Sequence, residues 1–319
     1  MKREKRILWG FIDREGKYAV EPQFDDAFDF CEGLAVVRTE FLRGYIGRDG
    51  QYVINPRFEK AESFSEGMAR VMTEGKWGFI NKEGSWIIDP IFDNVSEFRD
   101  GLSYVQVGTH YGYIDRDGKY IVPAEYEFLG EFHDGLARIR TAEGWGYVDR
   151  DGKISISPCF EAAQDFAEGL AAVMVNGKYG YIGTDGEFVV VPQFDIADNF
   201  AEGVARVKKD TERYYIDPSG AKAEPPVEQP KPLEFHDGLS PMSKDGLTGY
   251  VDEQLEWVIE PQYLDAAQCS EGLARVKTGA KTKWSFITTD GKAAFKTKFA
   301  AAGDFHEGLA KVMIEEMVD

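Results

Sequence analysis

The chain has 319 residues, 43% of them hydrophobic and 13% aromatic, so there is enough apolar material for a sizeable interior and disorder is excluded. Its 56 acidic residues against 37 basic ones give a net charge of −19. Such a surface repels phosphate backbones and disfavours nucleic acid; it suits a basic partner, cations or plain solubility. The three cysteines, Cys31, Cys159 and Cys269, are odd in number and scattered in register, which argues against a disulfide framework and for a reducing compartment. The start, Met1 to Arg6, is basic, and the apolar run after it, Ile7 to Ile12, is too short for a signal peptide or a membrane span. A cytoplasmic protein without membrane contact is the expectation.

One pattern organises the whole length. The motif Phe-x-acid-Gly-Leu places its glycine at Gly33, Gly67, Gly101, Gly135, Gly169, Gly203, Gly238, Gly272 and Gly308. The first five intervals are 34 residues and the next three are 35, 34 and 36. An acid always precedes the glycine: Glu32, Glu66, Asp100, Asp134, Glu168, Glu202, Asp237, Glu271 and Glu307. A second marker, Trp-Gly or Tyr-Gly, keeps the same beat at Trp9-Gly10, Trp77-Gly78, Tyr111-Gly112, Trp145-Gly146 and Tyr179-Gly180. Nine tandem copies follow, none large enough to hold a core alone.

Within the copy from Gly67 to Asp100, Met68 to Met72 reads as a first strand and Trp77 to Asn81 as a second. A turn at Lys82-Glu83-Gly84 leads to a third strand, Trp86 to Ile88, apolar on both faces and so expected between layers. Pro90 should end that strand, because proline cannot donate into a ladder. The segment from Pro90 to Asp100, a turn or short helical piece, must carry the chain back so that the next copy starts in the same direction. The fold class is therefore all-β, a tandem array of β-meander repeats. Two architectures satisfy it: a closed propeller-like ring, which is favoured, and an open β-solenoid or superhelix. The chain starts on a second strand (Leu8 to Asp13) and stops after a first strand (Leu309 to Ile314), two halves of one split hairpin that a ring would pair. The seventh copy departs most. Residues 221–233 carry Pro225, Pro226, Pro230 and Pro232 in place of a β-branched third strand, and read as a distorted repeat within a single array rather than a domain break.

The unit Gly67–Val71, Gly75–Ile80, Gly84, Ile88 to Asp93 and Phe98 to Gly101 resembles the bacterial WG-repeat family, over nearly the whole chain. That resemblance implies a β-repeat module acting as an interaction region and brings no catalytic residues.

Chemistry is sparse. The sequence lacks a phosphate-binding glycine loop, His-Glu-x-x-His, paired Cys-x-x-Cys and Gly-x-Ser-x-Gly, so no cofactor, metal or enzymatic activity is expected. His133, His236 and His306 share one repeat position beside the acid-Gly pair, in copies too far apart to be immediate neighbours. The nine acids read first as turn chemistry and second as a cation or basic-partner rim. The Trp and Tyr before glycine read as packing between copies. A partner surface should sit at varying positions: Arg43 and Arg213 replace the aromatic, and Arg99 follows Phe98. The function expected is a non-enzymatic scaffold that binds a basic protein partner through the acidic repeat surface, an immunity or inhibitor protein being one version. The competing class is a carbohydrate-binding module or a hydrolase using clustered carboxylates. The sequence gives no oligomeric state.

Overall fold

The computed structural model describes residues 4–226 and 232–318. Of the proline-rich stretch, Val227–Lys231 lies outside the described residues. The chain forms two compact units, Met1–Pro90 with Lys231–Asp319, and Ile91–Pro230. Among the described residues there is no helix, and the strands make nine small antiparallel sheets, seven of four strands and two of three.

One sheet of the second unit shows the plan: Asn94–Val95, Ser103–Val107, His110–Ile114 and Tyr120–Tyr126, hydrogen-bonded in that order. The first three-strand count is as the sequence predicts. The returning segment is not helical: it contributes a two-residue strand that pairs with the first strand of the next copy, as Asn94 does with Gln106 and Val95 with Val105. Among the described residues eight of the nine sheets receive such a strand from the preceding copy; the sheet that opens on Ser240–Lys244 does not.

The third strand differs from expectation in two ways, and one glycine accounts for both. In the copy built around Trp77, it runs from Trp86 through Pro90 to Phe92, and its outward residues Trp86 and Ile87 are exposed while Ile88 and Phe92 are buried. It is an edge strand, not one sandwiched between layers. Proline is tolerated because the strand bulges there: Tyr179 pairs with Phe194 but Tyr181 pairs with Val190, so three residues on one strand oppose a single glycine on the other. A Cβ on that glycine, Gly180, would lie 2.5 Å from the Val190 carbonyl oxygen and 2.7 Å from the Pro192 nitrogen. Gly10, Gly44, Gly78, Gly112, Gly146 and Gly249 face the same obstruction. The glycine of the Trp-Gly marker is the floor beneath a proline bulge.

The two copies that lack this glycine also lack the regular third strand. Tyr214 is followed only by the two-residue strand Lys222–Ala223, and Glu224 stands exposed where other copies bury valine or isoleucine. Ser285 belongs to a three-stranded sheet whose would-be third strand survives as isolated bridges, Trp284 with Phe299 and Ile287 with Ala293.

Cores lie between copies. Leu170, Tyr181, Val190 and Phe194 of one copy cluster with Ala197, Phe200, Val207 and Ile216 of the next. Polar clamps cross the same joints: the buried Tyr181 hydroxyl donates to the Asp198 carbonyl (2.7 Å), Tyr147 to Gln164 (2.6 Å) and Tyr45 to Glu62 (2.8 Å). Burial raises the pKa of these phenols, so they stay protonated donors. Phe79 has no hydroxyl to give. The carbonyl at the corresponding place, Ser96, accepts instead from the buried Ser103, 2.8 Å away, where neighbouring copies have alanine.

In the first unit the chain ends meet. Glu4–Ile12 pairs antiparallel with Ala310–Val318 over nine residue pairs, from Glu4 with Val318 to Ile12 with Ala310. The split hairpin expected from the sequence is formed. Ile12, Ala310 and Val312 share a core with Phe286 and Phe299, and Leu309 shares one with Phe11, Phe30 and Val37.

Replacing Gly180 by alanine should cost about 1–3 kcal/mol, since backbone must shift. Gly203→Ala, where nothing lies within 4 Å but φ is +77°, should cost about 1–2 kcal/mol through backbone strain alone. Denaturant midpoints read both, with Gly180→Ala expected to be the more damaging. Tyr181→Phe and Ser103→Ala should each cost about 1–3 kcal/mol, because each leaves a buried carbonyl without its donor.

Candidate functional site

The acid-Gly pair is the two-residue tip of a tight hairpin. Cys31 and Leu34 exchange backbone hydrogen bonds of 2.9 and 3.2 Å around Glu32 (φ 53°) and Gly33 (φ 85°). Both central residues are left-handed, as a type I′ turn requires. All nine acids share this conformation, with φ between 49° and 54°. For glutamate it is costly, by about 1–2 kcal/mol.

What offsets that cost is a bond to the next copy. The Glu32 carboxylate accepts the Gly67 amide (3.0 Å), Asp134 that of Gly169 (2.8 Å), and Glu168 that of Gly203 (2.9 Å). Asp237 takes Gly272 (2.8 Å), Glu271 takes Gly308 (2.8 Å), and Glu307 takes Gly33 (2.9 Å). The last of these links the final copy to the first across the chain ends. These six acids are therefore staples between consecutive hairpins, and the turn reading of the nine acids holds with this addition.

Two other recurring acids serve backbone as well. Asp25, Asp93 and Asp195 accept amides at the tip of the following strand hairpin, from Glu40 (2.6 Å), Gly108 (2.7 Å) and Asp210 (2.7 Å). Asp13, Asp115, Asp149 and Asp252 close the turn between second and third strands, each accepting amides two and four residues on. Much of the acidity of the chain is turn chemistry repeated copy by copy.

The rim is not electrically uniform. The second residue of the turn between second and third strands reaches the acid that opens the preceding copy. Lys82 pairs with Glu32 (3.0 Å), Arg14 with Glu271 (2.8 Å) and Arg150 with Asp100 (3.0 Å). Down the chain this position reads Arg14, Arg48, Lys82, Arg116, Arg150, then Thr184, Pro218, Glu253 and Thr289. Opposite Asp134 and Glu168 it therefore carries no charge. Asp134, Glu168 and Glu202 are all exposed, whereas Glu32 and Glu271 are half-buried under their cations.

Four of the six residues singled out from sequence hold the same turn position in their copies. Arg99, His133, His236 and His306 each occupy the first position of a hairpin tip and are exposed. Arg99 is ion-paired with Glu97 (2.9 Å). Arg99 and His133 lie in the second unit, His236 and His306 in the first. Arg43 and Arg213 sit elsewhere, on second strands. Arg43 donates to the Ala61 carbonyl (3.1 Å) and covers the Phe28 ring (5.1 Å), a packing role; Arg213 is exposed opposite Lys208. The marker aromatics are packed too: Trp77 is buried, and Trp145 lies against the Phe128 ring and under Arg138. Sequence reading missed the alternation at Arg14, Lys82, Arg150, Thr184 and Pro218, although the positions are evenly spaced. Among the described residues no group of three or more His, Cys, Asp or Glu side chains is placed to hold a metal ion.

Burial pushes the Glu32 carboxyl up, but Lys82 and the Gly67 amide together hold it below its ordinary value; Arg14 and the Gly308 amide do the same for Glu271. A depressed carboxylate contributes stability above its unfolded pKa and loses it as pH falls through the folded value. Thermal unfolding should therefore drop on acidification below the usual carboxylate range, and the double variant Glu32→Gln/Glu271→Gln should show a shallower drop.

The chain matches the profile described as WG containing repeat over residues 9–40, 44–77, 77–108, 111–143, 145–179, 179–210, 249–281 and 284–316. The stretch passed over, 211–248, holds the copy without the regular third strand. No curated protein matches the sequence. Solved structures with a similar course include one described as a eukaryotic initiation factor (10% identity, 93% of this chain and 97% of that one, TM-score 0.41). Others are Hsv2 of Kluyveromyces marxianus (10%, 91% and 95%, 0.33) and apo AztD from Citrobacter koseri (10%, 99% and 99%, 0.29). At such scores the likeness carries neither function nor overall shape. The eight profile matches, in register with the acid-Gly turns and the glycine-floored bulges, place this chain in the family of WG-containing repeat proteins.

Proposed function

We propose that this protein is a non-enzymatic interaction scaffold, and that it docks a basic protein partner on the sector of the acid-Gly rim formed by Asp134, Glu168 and Glu202. The observation that carries this reading is the change at the neighbouring turn position from Arg or Lys to Thr184 and Pro218. At three other turns a cation already pairs with the carboxylate, Lys82 with Glu32, Arg14 with Glu271 and Arg150 with Asp100. Here the turn holds each acid in place and leaves its charge to solvent, a preorganised array that a cationic surface meets without reordering side chains. His133 lies exposed beside Asp134 in the same turn and adds a polar ring to this surface. Against an enzyme stands the equivalence of the carboxylates: acid-base catalysis needs two in contrasting environments, and these share one backbone role.

The same reading includes closure of the nine copies into a propeller-like ring. Support comes from the paired terminal strands, the Glu307 to Gly33 staple and the core shared by Ile12 and Phe286. A compact chain of this length has a radius of gyration of about 20 Å. Solution scattering should return a value near that, and a markedly larger, elongated particle would refute closure.

Binding is tested with Asp134→Asn/Glu168→Gln/Glu202→Gln, which removes three charges while keeping carbonyl acceptors for the Gly169 and Gly203 amides. Affinity capture from the native host should recover basic proteins with the unaltered chain, released by salt, and lose them at least about tenfold with the variant. Equal recovery by both chains, at matched thermal stability, would reject the sector; recovery of nothing by either would reject the scaffold.

A further inference from the structure

We draw no further inference here: the strongest candidate, the outer strand Phe188–Phe194 with Val189 and Val191 exposed at the edge of its sheet, is an apolar face, and nothing in the structure shows what covers it.

Discussion

The fold depends on a hydrogen bond between a carboxylate held in a left-handed turn and the glycine amide that opens the next copy. The acid is placed where glutamate is strained, and the strain is compensated only if the next hairpin stands at the right distance. Local turn geometry and spacing between copies are thereby one constraint. A charge-assisted bond of this kind is stronger than a neutral one and directional, which fixes relative position in a way that apolar packing does not. The hydrophobic part is supplied by clusters drawn from successive copies, so neither element is stable without its neighbour.

A second constraint works within each sheet. The glycine after the marker aromatic leaves room for a bulge at proline, and the bulge turns Phe or Tyr at the end of the third strand back into the core. Where Tyr214 or Ser285 stands in that place, the outer strand loses regularity, and the Tyr214 ring packs against Phe194 instead. Glycine, proline and the terminal aromatic are thus one device spread over some fifteen residues, and degrade together.

Much of this was legible beforehand. The nine acid-Gly pairs gave the copy number and the turns, and a start on a second strand with a stop after a first gave the split hairpin, because both are written as spacing. The third strand was misjudged for a physical reason. Proline at position 90 reads as a stop only if the partner strand is assumed regular; the glycine opposite it, Gly78, is what makes room. The returning segment reads as a turn or short helical piece because a two-residue strand has no periodicity to detect. Of the six residues proposed for binding, Arg43 has contacts its charge does not foretell: its guanidinium covers Phe28 and donates to the Ala61 carbonyl, as a long amphipathic side chain can. The electrostatic sector escaped notice because it is defined by absent cations at Thr184 and Pro218, two residues that look like ordinary turn formers.

The uniform placement of the rim carboxylates and their unequal neutralisation belong together. Where acid-Gly hairpins are stapled through the backbone, one turn residue per copy can vary without disturbing its neighbours, so the charge beside each acid is set independently of the fold. The central claim is that the staples exist in solution, and amide hydrogen exchange tests it most directly. The amides of Gly67, Gly169, Gly203, Gly272 and Gly308 sit in surface hairpins yet should exchange slowly, and Glu168→Ala should release Gly203 while Glu168→Gln leaves it protected. Fast exchange at all five glycines in the unaltered protein would contradict the account.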